Sequence, residues 1–354
     1  MLIKNIKIQN FRNIKSLFLS FDEKMNVISG ENAQGKTNII EAIWLFCGAK
    51  SFRGAKDSSF VTFGEEKGIN EINFFSSQSE HNAKMFFEEK RSAELDFNKL
   101  KSTGDLAGIM RAVVFSPVDL NIISGGPDKR RKFLDVSIGQ LYPGYVGVLR
   151  VYSRALMQRN KIIKEYKYDP SVSIMLDVFE NEIAQNGEKI VKYRKKFLEQ
   201  LNCSLPEIFS GLSSGKEKIS SVYVANEDGS MLLENLKEKR KEDSVLGFTS
   251  VGPHRDDIDF LINDISAKNY GSQGQKRSIA IALKLASLNV IYEISGEYPV
   301  CLLDDVMSEL DENRQKYILN HVREWQTFIT CCDPSNVKRL SGGKVFNIRN
   351  GGVE

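Results

Sequence analysis

The chain has 354 residues, 41% of them hydrophobic, which is enough for about two domains with a sizeable core and no covalent staples. Its 49 lysines and arginines nearly balance 46 aspartates and glutamates, so overall charge decides nothing about partners and only local clusters can. Five cysteines, Cys47, Cys203, Cys301, Cys331 and Cys332, form no C-x-x-C pair, which argues against a zinc site or a disulfide framework and suits a reducing cytosol.

At the start, MLIKNIKIQNFRNIK mixes isoleucine with lysine and asparagine, unlike the continuous apolar core of a secretory signal. No segment reaches the ~18 uncharged apolar residues of a membrane span. The expectation is a soluble, cytoplasmic protein without membrane contact. Ile6 and Ile8, then Leu17, Leu19 and Phe21, alternate as two short strands around FRN, and Asn26 to Ser29 is a third apolar run. GENAQGKT follows. Ile39, Ala42, Ile43 and Phe46 then fall at helical spacing until Gly48. Residues 60–100 hold strand-like pieces, INEINFF and NAKMFFEEK, suited to an antiparallel sheet. From about 128 to 200 the chain is long, charged and helix-patterned. KISSVYVANE and DDIDFLIND read as strands. The tail alternates a helix (Lys276 to Tyr292), the apolar strand VCLLDD, a helix (Glu312 to Glu324) and the strand TFITCC. Alternating strands and helices at both ends predict an α/β fold assembled from the two chain ends, with a mainly helical domain inserted. The expected boundaries are 1–110 and 249–354 for the two parts of the core and 111–248 for the insertion.

Gly30 to Thr37 fits G-x-x-x-x-G-K-[ST] between a strand and a helix. Glycines let the backbone fold around phosphate, so that the amides of Gly30, Glu31, Asn32, Ala33, Gln34 and Gly35 and the helix dipole face an anion. Lys36 would reach the β and γ phosphates of ATP and Thr37 would hold Mg²⁺. VCLLDD ends an apolar strand on two acids, where ligands of α/β sheets sit. Asp304 is the expected outer partner of Mg²⁺, and Asp305 is placed to orient or deprotonate water. GSQGQKRS precedes a helix with an apolar stripe at Ile279, Leu283, Ala286 and Val290. That puts Ser272, Gly274 and Gln275 at a helix N-terminus, a second place for an anion. A Gly-rich turn, a solvated acidic turn and an ordinary Gly-Ser cap are the bland alternatives to these three.

Walker A, then this signature, then Walker B followed by SELD (Ser308 to Asp311), resemble the ATP-binding cassette class and its SMC-related branch. More narrowly the chain resembles the RecF family of bacterial DNA replication and repair proteins. The matching stretches are NIKIQNFRNI, GENAQGKTNIIEAI, VVFSPVDL, GGPDKRRKFLD, LMQRNKIIK, TSVGPHRDD, GSQGQKRS and LLDDVMSELD, spread over nearly the whole chain. The resemblance implies an ABC-type ATPase head with a mixed sheet, and two heads meeting face to face on ATP. Ser272, Gly274 and Gln275 would then meet the partner's nucleotide, while Arg12 and Asn38 lie near the chain's own. It further implies duplex DNA and junction binding, help from RecO and RecR in loading RecA, and a monomer when free. Asp305 stands where the class usually has glutamate, and Cys332 stands near the place of the switch histidine. Both departures imply slow hydrolysis, suited to a switch.

Basic residues cluster in the helical segment: Lys129, Arg130, Arg131 and Lys132, then Arg150, Arg154, Arg159, Lys161 and Lys164. Arg150, Arg154 and Lys161 share one helix face. Such clusters suit backbone phosphates of DNA without sequence preference, and solvated helix faces are the alternative for each residue. A P-loop phosphotransferase and another SMC-like chromosome-associated ATPase are the competing functions. The first would not explain GSQGQ before LLDD. The second needs long heptad arms, which an insertion interrupted by Pro143, Pro170 and Pro206 does not supply.

Overall fold

In the computed structural model, which describes residues 1–213, 215, 217–226, 231–332 and 343–354, β1 (Leu2–Phe11) and β2 (Ile14–Ser20) form an antiparallel hairpin around Arg12 and Asn13. Ile6, Ile8, Leu17 and Leu19 are all buried, the period of two that a half-buried sheet requires. β3 (Met25–Ser29) is buried throughout and leads through GENAQG into α1 (Lys36–Leu45). β4 (Gly68–Ser76), β5 (Ser79–Phe87), β6 (Ser92–Leu95) and β7 (Asn98–Lys99) extend the first hairpin into an antiparallel sheet of order β2-β1-β4-β5-β6-β7. β8 (Ala112–Phe115) closes this part of the chain.

Helices then dominate: α2 (Asn121–Ser124), α3 (Pro127–Leu141), α4 (Pro143–Tyr166) and α5 (Ser173–Ser213). Pro127 and Pro143 occupy first turns, where the absent N–H costs nothing. Pro206, expected to interrupt the insertion, instead lies inside the continuous α5. β9 (Ile219–Val224), α6 (Leu232–Glu238), α7 (Arg240–Leu246), β10 (Asp257–Ile262), β11 (Ile265–Ser266) and α8 (Ala267–Tyr270) follow, the strands in the order β11-β10-β9. The tail comprises α9 (Gln273–Ser295), β12 (Val300–Leu303), α10 (Glu312–His321), β13 (Thr327–Cys331), β14 (Lys344–Arg349) and β15 (Gly352–Val353). By length and composition α9 would span a membrane, but 72% of its apolar window is buried inside the protein, as a core helix requires.

The chain forms two compact units, Met1–Leu120 with Glu207–Lys216 and Arg277–Glu354, and Asn121–Pro206 with Glu217–Lys276. The expected boundaries at 110/111 and 248/249 therefore move. β8 pairs in parallel with β12, which places it in the first unit, and β10 pairs with β9, which places it in the second. In the first unit the second sheet runs β15-β14-β3-β13-β12-β8, parallel except for β15. Every residue of β3, β8, β12 and β13 is buried, as strands covered on both faces must be. Gln326, 3% exposed, joins the chain ends: its amide group donates to Ile3 O at 2.8 Å and Asp22 O at 2.9 Å and accepts from Ile3 N at 2.7 Å.

Candidate nucleotide site

Because β3, β8, β12 and β13 are parallel neighbours, their carboxyl ends emerge at one edge of the sheet. Gly30, Ser116, Asp304 and Cys332 each follow one of these ends. A crevice of this kind is where α/β sheets bind ligands.

The phosphate loop is held from outside. Gly30 has φ 151°, and a Cβ there would lie 2.3 Å from Ile348 O; Gly35 has φ 109°, with Asn13 Oδ1 2.9 Å from a Cβ. Only glycine fits either position. Asn13 Nδ2 donates to Ala33 O at 3.2 Å, and Asn38 Nδ2 donates to Asn13 Oδ1 at 2.7 Å. On the other side the Asn350 amide donates to Gln34 Oε1 at 2.6 Å and the Gly351 amide to Gln34 O at 3.0 Å. Lys36 lies across the loop, its Nζ donating to Gly30 O at 2.6 Å and Glu31 O at 2.7 Å. Cys332 Sγ lies 3.7 Å from that Nζ and donates to Asn32 Oδ1 at 3.3 Å. Asp333 and Pro334, which complete TFITCCDP, lie outside the described residues.

Thr37 Oγ1 donates to Asp304 Oδ1 at 2.8 Å, and Thr330 Oγ1 donates to the same oxygen at 3.0 Å. Burial pushes the Asp304 carboxyl above its ordinary range against these two hydrogen bonds, and the neighbouring Asp305 adds to the rise. Asp305 has φ 52°, a left-handed conformation that aspartate tolerates better than most residues. Its amide donates to Thr330 Oγ1 at 2.8 Å, and Ser308 Oγ donates to its Oδ1 at 3.1 Å. The two acids and Thr37 thus come together as expected. Thr330 and Asn350 join them without a motif that marks them in the sequence, and Asn13 of FRN and Ser308 of SELD join them from motifs that gave these two residues no role.

Arg12 has φ 57°. Its Nε and Nη2 donate to Glu41 Oε2 at 3.0 and 2.8 Å, its Nη1 donates to Ser59 O at 3.0 Å, and its guanidinium lies 4.9 Å from the Phe60 ring centre. The arginine therefore braces α1, whose first turn belongs to the phosphate loop. Arg53 donates to Asn38 Oδ1 at 3.0 Å and its charge lowers the Asp304 carboxyl. It is a cation at the site that sequence reasoning passed over.

At the start of α9 the Ser272 amide donates to Gln275 Oε1 at 2.7 Å and the Gln275 amide to Ser272 Oγ at 3.2 Å. This is a capping box with glutamine at its third position. Gln275 Nε2 also donates to Glu217 Oε1 at 2.6 Å. Ser272 and Gly274 are exposed, and a Cβ on Gly274 would meet nothing nearer than Ser272 Oγ at 4.0 Å. Packing within the chain does not demand glycine there. The apolar stripe Ile279, Leu283, Ala286 and Val290 is buried.

The basic cluster divides. Lys129 is exposed beside Asp128, while Arg130 is 1% exposed and donates from Nε and Nη2 to Asp257 at 2.5 and 2.9 Å. Arg130 is thereby corrected from a surface cation to a buried structural one. Arg131 is half-buried and donates to Asp256 O at 2.6 Å. Arg159 is fully buried between Glu180 and Asp243, at 3.0 and 2.7 Å. Arg150, Arg154 and Lys161 are exposed on α4, joined by Lys164.

Comparison with known proteins places this geometry. Residues 2–348 match the RecF/RecN/SMC N terminal domain. A DNA replication and repair protein RecF from Lachnospira eligens is 37% identical over 359 residues, covering 100% of this chain and 99% of the relative. Its counterpart from Agathobacter rectalis is 39% identical over 358 residues, with the same coverage. A solved structure of the recombination mediator protein RecF with ATP in the RecFOR pathway superposes with a TM-score of 0.93 at 38% identity, covering 100% of this chain and 97% of that one. An Smc head bound to the C-terminal winged-helix domain of ScpA shares the fold, with a TM-score of 0.59 at 16% identity and coverage of 100% and 96%.

Proposed function

The chain belongs to the RecF family of DNA replication and repair proteins, with the ATPase fold of its SMC-like relatives, and from that premise we propose that it is an ATP-gated DNA-binding switch. The observation that carries the nucleotide reading is the Thr37 hydroxyl held on the Asp304 carboxylate at 2.8 Å beside a glycine-formed loop. These hard oxygen donors fit Mg²⁺ bound with ATP, which would neutralise charge developing on the phosphates. Thr37 and Asp304 would hold the ion, and Gly30 to Gly35 would offer amides to the phosphates. Lys36 would exchange its bonds to Gly30 O and Glu31 O for the β and γ oxygens. Arg12 and Asn38 act on the same site by holding α1 and the loop in register.

Asp305 is the base for the attacking water, its backbone pinned by Thr330. Its side chain is one methylene shorter than the glutamate common in the class, and Cys332 rather than histidine stands at the end of β13. Both favour turnover slower than about 10 s⁻¹, the median of enzymes. A steady-state rate above that would refute the switch reading.

Ser272, Gly274 and Gln275 serve the nucleotide of a second copy. The capping box already satisfies two amides, and the bare Gly274 leaves room for a phosphate to approach. ATP would then hold two heads together and hydrolysis would release them. DNA binds the paired form through exposed cations such as Lys129, Arg150, Arg154 and Lys161, at duplexes and single-strand junctions. There the protein works in the cytoplasm with RecO and RecR to load RecA. The RecFOR-pathway relative supports that assignment.

The test is the oligomeric state by analytical ultracentrifugation of wild type and Ser272→Arg, with ATP and with or without duplex DNA. ATP-dependent dimers of wild type only are expected. A monomer under every condition, or a dimer indifferent to Ser272, would sink the face-to-face model.

A further inference from the structure

The loop from Phe248 to Asp256, FTSVGPHRD, contains no nucleotide-site residue, yet side chains from several elements of the second unit anchor it. Arg159 Nη1 donates to Thr249 Oγ1 at 2.8 Å, Arg194 Nη1 to Pro253 O at 2.7 Å and Arg131 Nη1 to Asp256 O at 2.6 Å. Asn160 Oδ1 accepts from the Thr249 amide at 2.8 Å, and Asp243 Oδ1 accepts from the Ser250 amide at 3.0 Å. The buried arginines that do this holding carry carboxylate partners of their own, Glu180 and Asp243 for Arg159 and Asp135 for Arg194.

Arg255 is the exception. It is exposed, and among the described residues it has no ion pair. It is nonetheless ordered: Nε and Nη2 donate to Thr249 O at 3.2 and 3.1 Å, and the guanidinium lies 4.6 Å from the centre of the Phe248 ring. Phe248 is itself 40% exposed. These contacts use one edge of the fork and leave the Nη1 donors without an acceptor among the described residues. A cation held in one geometry with no counter-anion is preorganised for an anion from outside.

The neighbourhood fits a polyanion. Lys164 packs over Gly247, next to Phe248, with its Cε 3.4 Å from where a Cβ would be. Arg154, Lys161 and Lys164 are exposed and, among the described residues, lack ion-pair partners. The sequence of α4 carries five basic residues, Arg150, Arg154, Arg159, Lys161 and Lys164, against the single acid Glu165. We infer that Arg255, stacked on Phe248, is a fixed phosphate contact that continues the cationic face of α4, and that duplex DNA is what it grips. The inference rests on the DNA-binding reading above and adds to it the residue and the loop.

Affinity for a fluorescent duplex, measured by anisotropy with ATP across a salt series, tests it on wild type, Arg255→Ala and Arg255→Lys, with circular dichroism as the check on folding. Arg255→Ala is expected to weaken binding about tenfold, the scale of one charge-assisted contact. It is also expected to reduce the slope of log affinity against log salt by about 0.9, one phosphate's worth. Arg255→Lys should keep the slope while losing part of the affinity, because ammonium cannot use the fork. A folded Arg255→Ala with wild-type affinity and slope overturns the inference and leaves the DNA-binding reading standing. Wild type that binds no duplex overturns both.

Discussion

Thr330 holds both acids of the site, donating to Asp304 Oδ1 at 3.0 Å and accepting from the Asp305 amide at 2.8 Å. One hydroxyl on β13 therefore sets the metal-side carboxylate and the backbone that aims the base. Valine keeps the volume and the strand preference but removes both bonds. Thr330→Val should lower turnover by about ten- to a hundredfold, as the loss of one or two hydrogen bonds in a transition state implies. ATP affinity should change much less, since Lys36 and the loop amides are untouched. Single-turnover hydrolysis beside equilibrium ATP binding separates the two, and equal losses in both would refute the positioning role.

What could be read from the sequence was the chemistry whose constraints are local. GENAQGKT, LLDD and GSQGQ each place glycine, lysine or carboxylate within a few residues of a strand or helix end, so the motif carries its own context. The α/β core built from both chain ends was equally legible, because alternating apolar strands and helices announce parallel pairing. What stayed hidden depends on distance along the chain. Asn350 grips Gln34 and Gln326 grips Ile3, and no signature marks Asn350 or Gln326. Arg130 and Lys129 look alike in DKRRK, and it is Asp257, 127 residues away, together with the carbonyls of Ile122, Ile123 and Gly125, that holds the first buried. The domain boundaries moved for the same reason, since the pairings of β8 with β12 and of β10 with β9 are not written at the cut points.

Cys332 and Cys203 are the two exposed thiols among the five, and only Cys332 touches the phosphate loop, through Asn32 and Lys36. Thiolate chemistry follows access. Bound ATP should therefore slow labelling of Cys332 by N-ethylmaleimide severalfold and leave Cys203 unaffected, as read by peptide mass after short exposures. Burial pushes the Cys47 and Cys301 thiols up, and both should remain unlabelled in the folded protein. Equal labelling of Cys332 with and without ATP would contradict its placement beside the phosphates.

Arg159 and Arg154 lie on the same helix with opposite roles. Arg159 is 0% exposed between Glu180 and Asp243, which are also 0% exposed; Arg240 still pairs with Glu180, so Arg159→Ala strands the buried Asp243 carboxylate. A loss of about 3–5 kcal/mol in unfolding free energy is expected. Arg154 has no ion pair among the described residues and is exposed, so Arg154→Ala should stay within about 0.5 kcal/mol of wild type. Urea denaturation of both variants measures the contrast, and comparable midpoints would show that the buried network contributes nothing net.

His254 supplies a pH dependence whose sign follows from its partners. Tyr152 OH lies 2.6 Å from Nδ1 and Thr249 O lies 3.1 Å from Nε2. A neutral ring that donates from Nε2 and accepts at Nδ1 satisfies both. Burial, with Arg255, Arg131 and Arg159 nearby, brings its pKa down to about 4, against the opposing pull of the Thr249 carbonyl. The unfolded chain takes up this proton near pH 6.5, and the folded chain does so only near 4. Stability from this group is therefore complete above pH 6.5 and is lost as pH falls toward 4, by about 3 kcal/mol at most at 1.36 kcal/mol per unit. Carboxylates titrate in the same range, so the measurement is a difference: the fall in unfolding free energy from pH 7 to pH 4.5 should be smaller in His254→Gln than in wild type. Because the ring holds the loop that carries Arg255, His254→Gln should also be less stable than wild type at pH 7. Parallel stability profiles for the two proteins over that interval would rule out a neutral, buried His254.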